Sequence, residues 1–233
     1  MAASPASTRR RRAPTAEAPV DRRTAIVSAA TAVLGREGFG NTSIKDIAAE
    51  AGVAPGLVHY YFSSKEELLL AVVDRLSTEA SEQWHGAIRG LTDPFETINA
   101  ALDASAEYVR THPHFFRIVF ELNAVGFSNP AVARGLEELW RRQIADMELE
   151  IVAVHASLGI EPPLPSGVLA QLVSAAVDGV ALKALSYSVD IDELHRGLKL
   201  MLGSMLATSA LAAGVELPIE RLRRLVDAGR LPV

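Results

Sequence analysis

The run Ala51-Gly52-Val53-Ala54-Pro55-Gly56-Leu57-Val58-His59-Tyr60-Tyr61, followed by Phe62-Ser63-Ser64-Lys65, constrains this chain more than any other segment. A helix-turn-helix needs a small residue at its tight turn, an apolar residue just behind it to pin both helices, and small residues where the helices cross. Gly52, Val53 and Ala48 fill those posts. Pro55 stands where a first helical turn tolerates proline, because the N–H it lacks has no partner within the helix. The second helix of such a unit lies in a DNA major groove, so double-stranded operator DNA is the expected partner of this segment.

The flanking residues read as further helices. Asp21 can cap a helix over 22–37, with Ile26, Ala30, Val33 and Leu34 on one face and Gly38 ending it. Ser43 heads the next, with Asp46 as a variant capping box and Ile44, Ile47 and Ala48 facing inward. Ser64-Lys65-Glu66-Glu67 is a second capping box, launching a long helix through Leu68, Leu69, Val72, Val73 and Leu76 towards Arg89. Later helices are predicted over 93–111, 114–123, 130 to about 158, 166–187, 191–214 and, amphipathic, 218–228. No segment shows a convincing strand period. The expected fold is all-α, with an N-terminal three-helix DNA-binding domain at 21–66 and a larger ligand-binding and dimerisation domain at 67–214. A disordered basic tail at 1–20 precedes them, and an amphipathic helix and tail at 215–233 follows.

Composition narrows the function classes. With 233 residues, 49% of them apolar, a sizeable core is available. The absence of cysteine excludes disulfides, thiolate zinc sites and cysteine nucleophiles, and suits a reducing cytoplasm. The net charge of -5 conceals an asymmetry: residues 1–65 carry nine Lys/Arg against five Asp/Glu, whereas 66–233 carry fourteen against twenty-three. A basic head on an acidic body suits a modular DNA binder, since only the head must meet phosphates. Arg9–Arg12 lead into no apolar secretory segment, and Leu200–Val215, the most apolar late stretch, falls short of the ~18–20 residues that cross a bilayer. A soluble cytoplasmic protein without a membrane partner is expected.

The spacing Thr42-x4-Ile47-Ala48-x2-Ala51-Gly52-Val53-x2-Gly56-x4-Tyr61-Phe62-x2-Lys65-x2-Leu68 resembles the signature of the TetR family of bacterial one-component repressors. The resemblance implies an all-helical homodimer with a DNA-reading head and a ligand-binding body. Carried over by position, the DNA contacts fall on Lys45, on Pro55, Gly56, Leu57, His59, Tyr60 and Tyr61, and on Lys65, while Ser43 offers a helix N-terminus to phosphate. Two departures stand out. His59 occupies a post that a phosphate-binding tyrosine usually holds, and Ala54 cannot supply the side-chain cap of the recognition helix. Pro55, Gly56 and Leu57 can press only on thymine methyls and sugar. Specificity is therefore expected to lean on Lys45, Tyr60 and DNA shape. Arg9–Arg12 and Arg22-Arg23 are candidates for a minor-groove arm, or for a solvated tail that adds only non-specific attraction.

The body is read in two parts. The helices over 166–187 and 191–214 are rich in small residues and apolar around more of their circumference than one buried face requires. Paired with their symmetry mates they would form a four-helix dimer interface. A chamber for an unidentified small-molecule effector is implied within residues 65–187. Its candidate lining is Trp84, Ser105, Tyr108, Phe116, Phe120, Asn123, Trp140, Gln143, Gln171, Ser174 and Asp178, with Phe95 and Phe115 among the other aromatics available. His112-Pro113-His114-Phe115-Phe116 together with Asp178-Gly179 resembles the C-terminal domains of a TetR subset that includes betaine-pathway repressors.

The histidines show no metal-ligand spacing, and there is neither a nucleotide-binding glycine loop nor a G-x-S-x-G elbow. No cofactor, metal or enzymatic activity is expected. The reading is a ligand-responsive DNA-binding regulator, a dimeric repressor released by its effector. The alternative, kept open by Ala54 and His59, is a helical small-molecule binder without sequence-specific DNA binding.

Overall fold

Side chains that can cap a helix set most of the boundaries. In the computed structural model, which describes residues 21–38, 40–218 and 220, Asp21 accepts from Arg23 N at 3.1 Å and Thr24 Oγ1 at 2.8 Å, opening α1 (Arg22–Glu37). Gly38, at φ 75°, closes it. Helix α2 (Ile44–Glu50) begins on a reciprocal box: Ser43 Oγ accepts from Asp46 N, and the Asp46 carboxylate accepts from Ser43 N at 2.9 Å. Gly52 turns the chain at φ 62°, a left-handed conformation that costs glycine little. Val53 N then donates to Ala48 O at 2.9 Å, and α3 (Pro55–Tyr61) follows. As its sequence requires, α3 has no side-chain cap at Ala54.

At the start of α4 (Lys65–Ile88), Ser64 Oγ accepts from Glu67 N at 3.1 Å. The return arm is displaced by one residue, since Glu67 accepts from Ser63 N and Oγ at 2.8 and 2.6 Å. Asp93 caps α5 (Pro94–Thr111) and Asn129 caps α7 (Pro130–Ala156), with α6 (Pro113–Gly126) between them. Helices α8 (Ser166–Ser186) and α9 (Ile191–Ala212) complete the order, and no strand occurs among the described residues. Helix α6 runs three residues beyond the expected Asn123, to Gly126, which lies beside Ala133 of α7. Helix α7 stops short of Leu158, where Gly159 at φ 68° turns the chain and Ile160 N bonds back to His155 O. The expected tail at 1–20, and with it Arg9–Arg12, lies outside the described residues, as does most of the helix expected over 218–228.

One apolar cluster runs without a break from α1–α3 into the body. Ile26, Val33, Ile47, Val58 and Phe62 join Leu68, Leu69 and Val72 of α4, then Tyr108, Phe116, Leu122, Leu136 and Ala181. A smaller cluster at the far end holds Phe95, Ile160, Leu206, Ala207 and Ala210. Polar ties fix α4 between its neighbours: Tyr108 OH donates to Leu76 O at 2.8 Å, and Arg142 of α7 pairs with Asp74 at 2.6 Å. A Cβ on Gly135 would lie 2.5 Å from Leu70 Cδ1, so a larger residue there requires the Leu70 side chain to shift.

Among the described residues, the helix with the length and composition to cross a bilayer is α8, not the Leu200–Val215 stretch singled out from sequence. Only a fifth of its apolar window (22%) is buried within the chain. Val168, Leu172 and Leu182 stay exposed along it, Leu172 at 55%.

Candidate functional sites: a DNA-reading head and an inner chamber

In the head, burial and exposure divide α3 cleanly. Val58 is fully buried and Phe62, just beyond the helix, is 1% exposed; these two anchor α3 against α1 and α4. The opposite side carries Pro55, Gly56, His59 and Tyr60, all exposed, with Tyr60 at 79%. Leu57 and Tyr61 are half-buried at its edges, and the Tyr60 and Tyr61 rings meet edge-to-face at 5.2 Å. Ser43 and Lys45 are exposed on α2, and Lys65 is half-buried in the first turn of α4. All nine sequence-predicted contact residues therefore lie on the helix-turn-helix or the turn after it. Behind them, the Arg23 guanidinium sits 5.1 Å over the Phe62 ring. Ser43, by hydrogen bonding to the Asp46 carboxylate, holds that group below the usual carboxylate range. Ser43 N and Asp46 N are thus paired within this box.

In the body, a cavity of about 200 Å³ lies between the two apolar clusters. Of the residues proposed from sequence, Trp84, Ser105, Tyr108, Phe116, Trp140, Gln143, Ser174 and Asp178 line it, and Phe115 does so too. Three do not. Asn123 is turned back on its own helix, donating from Nδ2 to Val119 O at 3.0 Å. Gln171 is exposed on the outer side of α8. Phe120 packs against the main cluster, its ring 6.4 Å from that of Phe116, instead of reaching the space. Phe95 is likewise absent from the wall, being buried in the far cluster.

The wall also holds residues the sequence reading missed. Leu202, Met205 and Leu206 come from α9, beyond the expected 65–187 limits, and α7 adds Asp146, Met147, Glu150, Ile151, Val154 and His155. Helical arithmetic could have found the last group. From Trp140 and Gln143, steps of three and four residues along one face reach 147, 150, 151, 154 and 155.

The wall is apolar for most of its extent, and its polar groups have distinct states. The Tyr108 hydroxyl is committed to Leu76 O, and burial raises its pKa far above the usual phenol range, so it offers the chamber a ring and not an acid. His112 stacks on that ring at 4.2 Å. His195 bonds to Ile191 O at 2.9 Å through Nδ1, so Nε2 is left to accept from Ser105 Oγ at 3.4 Å, steadying that wall hydroxyl from behind. Burial lowers the pKa of His195, favouring this neutral form. Burial also pushes Asp178 up to about 6. His155 is 4% exposed; its Nδ1 bonds to Ile151 O at 2.8 Å, and its Nε2 is buried with no partner. Among the described residues no cluster suited to a metal ion occurs.

Comparison with known proteins agrees with the geometry of the head. Residues 26–72 match the family described as bacterial regulatory proteins, tetR family. Over 84 residues the chain is 37% identical to the HTH-type transcriptional regulator BetI of Rhizobium meliloti (strain 1021), a match covering 36% of this chain and 41% of that protein. The chain thus spans under half the length of this relative. Among solved structures, a transcriptional regulator from Pseudomonas aeruginosa PAO1 is similar at a TM-score of 0.67 and 19% identity, covering 84% of this chain and 96% of that one. One from Saccharomonospora viridis, solved in complex with choline, is similar at 0.62 and 21% identity, covering 76% and 92%. At such identities these two likenesses show the fold alone. The sequence match to the tetR family thus covers the head, residues 26–72, and the likeness to these structures extends over the body as a fold.

Proposed function

We propose that this protein is a dimeric transcriptional repressor that binds a palindromic operator through α3 and releases it when a small molecule occupies the chamber. The observation that carries this reading is the reach of α4. It begins at Lys65 beside the recognition helix, and its Ala80, Ser81 and Trp84 form part of the chamber wall. A guest that displaces α4 at the chamber therefore acts on the helix that seats the head.

The division into a head at 21–66 and a ligand-binding and dimerisation body at 67–214 follows that division of labour. It is not a gap in packing, because the apolar cluster crosses it. DNA contact is assigned to Ser43, Lys45, Pro55, Gly56, Leu57, His59, Tyr60, Tyr61 and Lys65. Lys45 is the residue best suited to a guanine edge, and Lys65 to a phosphate.

Dimerisation is assigned to α8 and α9. Val168, Leu172, Ala175, Gly179 and Leu182 recur at helical spacing along the uncovered side of α8, and Gly197, Met201, Ser204, Thr208 and Leu211 along that of α9. A Cβ at Gly179 or Gly197 would meet nothing within the chain, which leaves both positions open to a close neighbour. Covering this stripe with its two-fold mate removes the exposed apolar surface of α8 without invoking a membrane. The cytoplasm is the compartment that gives the protein access to DNA. The choline complex of the Saccharomonospora viridis neighbour supports a small organic molecule as effector.

Two heads on a two-fold axis reach half-sites about 34–36 Å apart, one helical turn of DNA. Effector binding shifts the equilibrium only if the effector prefers the form with another spacing. Gel retardation on the DNA flanking the protein's own gene, across a salt series, tests the reading. A specific complex is expected well above a scrambled duplex, weakening as salt rises. Lys65→Ala should weaken all sequences alike and lower the salt slope by about one phosphate's worth. Lys45→Ala should relax base preference. Equal affinity for operator and scrambled DNA would mean a helical small-molecule binder instead.

A further inference from the structure

We propose that the chamber's guest is an elongated organic cation, with its charged head beside Asp178 and a hydrogen-bond donor at its other end facing His155. The inference rests on the regulator reading above and specifies the class of effector. Its first support is the sign of the wall. Asp146, Glu150 and Asp178 all line the chamber, no lysine or arginine does, and none of the three forms an ion pair among the described residues. Such a wall repels a carboxylate or phosphate guest and attracts a cation.

The second support is placement. Helices α7 and α8 run antiparallel, with Ser166 Oγ bonded to Glu148 at 2.6 Å. Asp178 lies twelve residues further along α8, a rise of about 18 Å, which brings it to the Trp140 end of α7. One turn on, Ala181 is buried in the same cluster as Tyr108 and Phe116. Asp178 therefore shares its end of the chamber with aromatic rings, whose faces attract cations as a carboxylate does and exclude water while doing so. A half-buried carboxylate with no hydrogen-bond partner is costly until a cation arrives.

The third support is the opposite end. His155 is fifteen residues from Trp140 on the same helix, about 22 Å of rise away, among Val154, Ile98 and Leu206. Its Nδ1 donates to the Ile151 carbonyl, which leaves Nε2 as the ring atom open to the chamber, and that atom has no partner. A hydroxyl or amide N–H on the guest would supply one. Between the two ends the wall carries the apolar Ala101, Met147, Ile151 and Val173, with Asp146 and Glu150 on the α7 side adding to its negative sign.

The chain's two tryptophans, Trp84 and Trp140, both belong to the wall, so intrinsic fluorescence reports occupancy directly. The full-length protein is titrated with decyltrimethylammonium below its micelle concentration, with decanoate and with 1-decanol. Saturable binding is expected for the cation, weaker binding for the alcohol and none for the carboxylate. Asp178→Asn should lower cation affinity roughly tenfold or more and leave the alcohol unchanged. His155→Phe should remove the advantage of a 10-hydroxydecyl cation over the plain decyl cation. Decanoate binding as tightly as the cation, unchanged cation affinity in Asp178→Asn, or no binding of any probe would overturn the proposal. Gel retardation on the same preparations separates the two readings. A protein that holds its operator but fails the cation test loses only the effector class, whereas one that binds no operator loses the regulator reading whatever fills the chamber.

Discussion

The head and the chamber are built from the same secondary structure, and they differ in what lies between the helices. Between α1, α3 and α4 the space is filled by Ile26, Val33, Leu34, Ile47, Val58, Phe62 and Leu68, each at most 2% exposed. Among α4 to α9 a space of about 200 Å³ is left open, and three carboxylates without ion pairs among the described residues, several serines and a histidine stand on its wall. The first arrangement fixes the direction of an exposed recognition helix. The second gives up packing for a place that a guest can fill, and its polar groups are costly until one does.

The strongest way to break this contrast is to shorten a side chain in each region. Phe62→Ala should cost about 3–5 kcal/mol in equilibrium denaturation, because a tightly packed site cannot collapse around the loss. Trp84→Phe, beside a space that already exists, should cost less than about 1.5 kcal/mol. Equal losses would show that the chamber is as closely packed as the head.

Acid titration gives the next largest effect. Asp178 titrates near 6 in the folded chain against 3.8 for the ordinary carboxyl, so the folded state holds its proton more tightly than the unfolded state. Its effect on stability is therefore neutral below pH 3.8 and turns unfavourable as pH rises towards and past 6. The full penalty above that pH is at most about 3 kcal/mol, less where water in the chamber screens the charge. Asp178→Asn should accordingly be more stable than the parent at pH 7.5, with the gap closing by pH 4. A variant that is less stable at both values would contradict the burial assigned to this carboxyl.

Smaller effects sharpen the head. Ser43→Ala removes the cap of α2 and should lower the denaturation midpoint by the equivalent of about 1 kcal/mol. Arg142→Ala breaks an ion pair with Asp74 whose side chains are 59% and 47% exposed, and should cost no more than about 1 kcal/mol. Its effect is expected in the coupling of effector to operator more than in stability, since it ties α7 to α4. An unchanged effector response in gel retardation would remove it from that role.

The same contrast explains what could be read from the chain alone. Caps such as Asp21, Ser43 and Asp93 act within four residues, and so do the helix-opening Pro130 and the turn at Gly52, so helix order and most ends follow from local sequence. The exposed residues of α3 follow from the same short-range logic once Val58 and Phe62 are assigned inward. The chamber depends on register between helices far apart in sequence. Asn123 and Gln171 have suitable chemistry, but one bonds to its own helix and the other faces outward. His155 looked isolated in the sequence and becomes part of the wall only because α7 turns that face towards α5 and α8. The apolar surplus of α8 and α9 was visible in composition, whereas the particular stripe from Val168 to Leu182 required the packed body to show which side remains open.

Sedimentation velocity of the protein with a fluorescent duplex from the region flanking its own gene tests the central claim most directly. Two protomers per duplex are expected, with no comparable complex on a scrambled duplex of equal length. One chain per duplex, or equal association with both sequences, would contradict the account.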